Sequence, residues 1–209
     1  MPAAASGVTG PDKRGRAVAH PLVDDATRWW RAYQLAEDDQ EDALRRLANG
    51  GDDHAQRQLA CWLAERDRTA EAITVIRPLA DAGEDLAQLW LARWLAGDDR
   101  VGELRQRAVS GDDHAWPELF DWLAWHDLDQ LRALAVTLDG RPRQLLSRWL
   151  ARQGNIEVLR IGADAGDDHA RRMLARWLAR KSRTDELRRR AEAGDDHARE
   201  QLAWLAQQP

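Results

Sequence analysis

The chain has 209 residues, 44% of them apolar and 32% charged, enough for one sizeable domain or one continuous repeat array. The net charge of −5 gives no global basic signature for nucleic acid, and a single Cys excludes an internal disulfide and fits a reducing cytoplasmic setting. No run approaches the roughly 18 apolar residues of a membrane helix, so no membrane partner is expected.

In chain order, residues 1–21 come first. They are rich in Gly, Pro and small residues, lack the apolar core of a signal peptide, and read as a disordered N-terminal extension. From about residue 22 the chain repeats itself. The word GDDHA begins at Gly51, Gly111, Gly166 and Gly194, GEDLA begins at Gly83, and LDGRP takes its place at Leu138. The start-to-start spacings are 32, 28, 27, 28 and 28. An earlier, degenerate copy starts near residue 22, because YQLAEDDQEDALRRLANGG matches RWLAGDDRVGELRQRAVSG at an offset of 60. The last copy lacks one residue before Trp204.

Within a copy the apolar period is helical. Ala170, Leu174, Trp177 and Leu178 form one stripe. A break at RKSRT follows, with Ser182 and Thr184 as candidate N-caps. A short second helix then turns Leu187 and Ala191 inward, and Gly194 ends it as a left-handed C-cap. The predicted fold is all-α, an α-solenoid of tandem short helix-turn-helix repeats over residues 22–209. One hairpin cannot bury its stripe alone, whereas six or seven stacked hairpins can.

Four columns recur. The Asp pairs (Asp52/Asp53, Asp112/Asp113, Asp167/Asp168, Asp195/Asp196) read as N-caps at about 1 kcal/mol each. A metal site would need three or four ligands converging on one point, and residues one packed helix apart do not converge. His54, His114, His169 and His197 follow in the first helical turn, placed to cover the preceding turn or to donate to a neighbouring carboxylate. A row of His beside Asp also suggests titration near neutral pH. Trp62, Trp94, Trp122, Trp149 and Trp177 read as wedges between hairpins. Arg follows the inward Leu or Ile of every second helix, at Arg45, Arg77, Arg105, Arg132, Arg160 and Arg188. It reads as a brace between repeats, or as a ladder for carboxylates or phosphates. Trp29, Trp30, Trp90, Trp116 and Trp125 lie outside the Trp column. They are the candidates for an exposed contact surface, Trp116 and Trp125 flanking Trp122 on one helix.

The pattern A…LA.WLA followed by L…A.AG, over about residues 25–209, resembles the tetratricopeptide and Sel1-like repeat superfamily. The resemblance implies a superhelical array that binds protein or peptide along a concave surface. The function it points to is a non-catalytic scaffold or adaptor, with Trp116, Trp125, Arg105, Arg132, Arg160 and Arg188 as candidate partner-binding residues. No catalytic residue, cofactor or metal is expected, for the chain shows no phosphate-binding Gly loop, nucleophile elbow or zinc-spaced cysteines. The alternative is nucleic-acid binding. Residues 141–209 carry 15 Lys/Arg against 10 Asp/Glu, while residues 1–140 carry 16 against 26. The same asymmetry offers a route to self-association.

Overall fold

A computed structural model describes residues 21–207; the expected N-terminal extension lies almost wholly outside them. Among the described residues there are thirteen α-helices and no strand. The chain divides into two compact units after Ala82, at the expected repeat start Gly83. The first unit holds α1 (Pro21–Glu37), α2 (Glu41–Asn49), α3 (Asp53–Ala64) and α4 (Thr69–Asp81). The second holds α5 (Asp85–Gly97), α6 (Val101–Val109), α7 (Ala115–His126), α8 (Leu128–Thr137) and α9 (Gly140–Gln153). It continues with α10 (Ile156–Asp164), α11 (Asp168–Arg180), α12 (Thr184–Glu192) and α13 (Asp196–Ala206). The extra four residues of the repeat at Gly51 lengthen α4, which has 13 residues where α2, α6, α10 and α12 have 9.

Within each unit, helices pack on their chain neighbours and on the helix two places along. In the first unit α3 packs on α1, α2 and α4. In the second, α5, α7, α9, α11 and α13 pack in succession, and α6, α8, α10 and α12 pack beside them as hairpin partners. The core is mainly aliphatic, with Phe120 and the buried Trp62, Trp116 and Trp149 as its aromatics. Leu59, Leu63, Ile73 and Ile76 fill the first unit; Leu91, Leu95, Leu104, Leu119, Leu123 and Leu131 are among those filling the second. The alanine closing each GDDHA word (Ala55, Ala115, Ala170, Ala198) is fully buried or nearly so, which lets successive helices approach.

Most turns of both kinds, between repeats and inside them, close in the same way. At the GDD turn, Gly194 has φ +98, its N–H donates to the Ala191 carbonyl, and the Asp195 N–H reaches back to the Arg190 carbonyl. That is a Schellman closure, with glycine where the backbone is left-handed. The first Asp of the pair then caps the next helix: Asp52 accepts from the Ala55 N–H, Asp195 from Ala198 and Asp167 from His169, while Asp112 accepts from the His114 N–H just before α7. Glu84 does the same for Ala87.

The turns inside four of the six hairpins repeat this closure without glycine, while the α9–α10 turn uses Gly154 and the α7–α8 turn has no left-handed residue. Ser182 has φ +54, and Asp39, Asp67 and Asp99 hold the same conformation elsewhere. Ser182 is therefore not the N-cap expected from RKSRT. It is the left-handed residue, Arg183 occupies the cap without a side-chain bond, and Thr184 is the first residue of α12. A short polar side chain tolerates this region better than a branched one.

Candidate interaction surface

In several copies the second acidic residue of the pair does not stay within its own repeat. Asp25 Oδ1 accepts from His54 Nε2, Asp85 from His114, and Asp168 from His197, each at 2.8 Å and each across 29 residues. These bonds hold the Asp25 and Asp168 carboxyls below their ordinary range. At the next boundary Arg141 takes the His position and pairs with Asp113. Asp–Asp–His is thus two devices, a cap and a tie to the neighbouring repeat. Among the described residues, no three His, Cys, Asp or Glu side chains converge as a metal site would require.

Two words break the tie: GEDLA puts Leu86 in the His position, and LDGRP removes the Asp. LDGRP puts Gly140 where the second Asp stands, 29 residues before His169. The buried Nε2 of His169 has no hydrogen-bond partner among the described residues. Burial first, and the Arg148 guanidinium next, push His169 below its ordinary 6.5. The unfolded chain then binds the proton more readily than the folded one. This group's contribution to stability is complete above about pH 6.5 and declines as the pH falls toward the lowered folded value. His169→Gln is expected to flatten that decline in urea unfolding measured at steps between about pH 7.5 and 5. A variant with the wild-type slope would show that His169 does not cause it.

The Trp column is tied in the same direction. The Trp62 indole N–H donates to Asp39 at 3.1 Å, Trp122 to Asp99 at 3.0 Å and Trp149 to Asp121 at 3.2 Å. Trp62 and Trp149 are buried, whereas Trp94, Trp122 and Trp177 are half-buried. The Arg66 guanidinium lies 4.0 Å over the Trp62 ring and pairs with Asp39. Beside this tie, Cys61 is half-buried, and burial pushes its thiol up to about 11.

The Arg column divides. Arg45 bridges Glu41 in its own helix and Glu71 in the next hairpin. Arg160 forks onto both oxygens of Glu186 at 2.8 Å, 26 residues on, and Arg105 reaches Gln130. Between them, Arg68 and Arg45 draw the Glu71 carboxyl down to about 2. Among the described residues Arg132 has only Asp129, three residues away, because Val158 stands where Glu71, Gln130 and Glu186 stand. Arg188 likewise pairs locally, with Asp185 at 3.4 Å. Arg45, Arg105 and Arg160 are braces; Arg132 and Arg188 are the members of the column left turned to solvent.

The expected Trp116–Trp125 patch does not form. Nine residues at 100° each place the two indoles on opposite faces of α7. Trp116 occupies the register of Arg171 and Arg199, whose guanidinia fold back onto the Ala163 and Ala191 carbonyls. An indole in that position is buried, here 5.6 Å from Phe120, which lies 5.9 Å from Trp149. Trp125 is 86% exposed. Its register is a solvent position, held elsewhere by Glu65, Gly97, Arg152 and Arg180, all exposed. Trp90 is half-buried against Trp94. On α1, Trp29 and Trp30 are exposed and stack on Tyr33 at 5.6 and 5.7 Å.

Trp204, not singled out from the sequence, is exposed as well. The missing residue turns it about 100° away from the Trp column, beside a groove of about 420 Å³ lined by Met173, Arg176, Ala179, Arg180 and Gln201. The signal was present in the shortened copy, but a deletion indicates a change of face without indicating what the new face meets. No protein-family model, curated protein or solved structure matches this chain.

Proposed function

We propose that the chain is a non-catalytic scaffold or adaptor. Its hairpins continue as an α-solenoid of the tetratricopeptide-like kind, and it binds a protein or peptide partner on its extended surface. The observation that carries this reading is the placement of its aromatics. Many of the recurring Trp, His, Asp and Arg are consumed by ties between repeats, while Trp29 and Trp30 stand exposed and stacked with Tyr33 on α1. Exposed Trp and Tyr in a cluster are the side chains that dominate protein–protein binding energy. Among the described residues no helix is long and apolar enough to cross a membrane.

The nucleic-acid reading draws less support. In the basic C-terminal stretch, Arg172, Arg188 and Arg190 already have carboxylate partners, and Arg171 is turned onto a backbone carbonyl. The deciding experiment is affinity capture with mass spectrometry, comparing wild type with Trp29→Ala/Trp30→Ala and with Arg132→Glu/Arg188→Glu. The aromatic variant is expected to lose the captured partner at least about tenfold, the loss of one hot spot, while keeping wild-type circular dichroism. Undiminished capture by both variants would sink the reading.

A further inference from the structure

Two features of the second unit depart from the repeat in complementary ways. The first is the corner between α7 and α8. It is the shortest of the hairpin turns, with Asp127 alone joining the helices where the others have two to four residues, and it carries no left-handed residue. The five residues Trp125–Asp129 are all exposed in succession, reading Trp-His-Asp-Leu-Asp. An indole that is 86% exposed therefore projects beside Leu128 and two carboxylates. The second is the groove between α11 and α13, opened by the displacement of Trp204. Its floor is apolar, from Met173, Ala179 and Trp204, and its rim is Arg176 and Arg180. Neither arginine has a carboxylate partner among the described residues. About 420 Å³ is within the range of pockets that enclose a small aromatic ligand.

We propose that the Trp125 corner of one molecule docks into the α11–α13 groove of a second copy of this chain. The indole lies against Met173 and Trp204, while Asp127 and Asp129 meet Arg176 and Arg180. A molecule cannot close this contact on itself. Helix α9 packs between α7 and α11, which puts the corner about two helix spacings, roughly 20 Å, from its own groove. Knob and groove are different surfaces, so the contact is heterologous. Each added copy presents a fresh knob and a fresh groove, and growth continues unless the rotation happens to close a ring. This rests on the scaffold reading in that the partner is again a protein, but it uses neither α1 nor the Arg column.

The experiment is sedimentation velocity at low salt, over about 10 µM to 1 mM, where a contact anchored on one indole belongs (Kd near 10⁻⁴ M). Wild type is expected to reach a weight-average mass of at least about 1.5 times the 23.7 kDa monomer at the top of that range. Salt near 1 M should weaken the association. Trp125→Ala removes the knob, and Arg176→Glu/Arg180→Glu reverses the rim. All three positions are exposed, so both variants should keep the wild-type circular dichroism and sediment as monomers. Mixed, they retain one intact knob and one intact groove between them and should form a one-to-one dimer that grows no further. A monomeric wild type overturns the proposal, as does association that survives both variants or a mixture that stays monomeric. A monomeric wild type that still captures a partner through Trp29 and Trp30 would separate failure of the self-contact from failure of the scaffold reading.

Discussion

Phe120→Ala is expected to destabilise the second unit by about 3–5 kcal/mol, a large share of the stability of an ordinary domain. Phe120 is fully buried in α7 and bridges two other aromatics, Trp116 at 5.6 Å and Trp149 at 5.9 Å. Truncation leaves a cavity whose walls are rigid indoles. One of them, Trp149, is also fixed by its bond to Asp121. Neither wall can collapse inward, so little of the lost contact is recovered. Phe120→Leu should cost less than half as much, since most of the volume remains. Urea unfolding followed by Trp fluorescence would measure both. A Phe120→Ala loss below about 1.5 kcal/mol would mean that the stack relaxes and that the three rings do not act as one block.

Arg107→Ala is the second large effect, expected at about 3 kcal/mol. Arg107 Nε donates to Asp112 Oδ2 at 3.0 Å, and the two side chains are only 13% and 5% exposed. Asp112 also accepts from the His114 N–H, so its carboxylate is fixed at the start of α7. Removing the guanidinium strands that charge in a site water barely reaches. A buried pair broken on one side costs far more than an exposed pair does. Arg132→Ala is the internal comparison. It breaks an i,i+3 pair with Asp129, whose side chain is 92% exposed, and should cost under about 0.5 kcal/mol. A cycle with Asp112→Ala would separate loss of the pair from the penalty on the stranded carboxylate. Equal costs for Arg107→Ala and Arg132→Ala would show that burial does not set the strength of these contacts.

What the sequence disclosed about this molecule was whatever recurs. The helices, their glycine stops, the capping role of Asp52 and Asp195, and the buried Leu stripe each follow from local physics copied many times. What it hid were relations between copies. The His–Asp tie of 29 residues and the Arg–Glu brace of 26 join residues that look unrelated until helix packing brings them together. Once known, the intervals can be read off the chain, including the gap at Gly140 that leaves His169 alone. Trp116 departs from expectation for a different reason. Absence from the Trp column suggests exposure, whereas its own register, shared with Arg171 and Arg199, points onto the preceding helix end. Helical angle alone would have separated it from Trp125.

The left-handed aspartates of the hairpin turns carry a lesson for anyone redesigning the chain. At Asp39 and Asp99 the φ values are +55 and +53, where the usual advice is to substitute glycine and relax the backbone. Yet those same carboxylates receive the indole of the following repeat. The residue that suits the turn and the residue that suits the neighbour differ, and the neighbour has prevailed. Asp67 and Ser182 share the conformation, and no indole bond is seen at either. Consensus averaging over the copies would treat all four positions alike. A sound redesign would score each turn together with the repeat that comes after it.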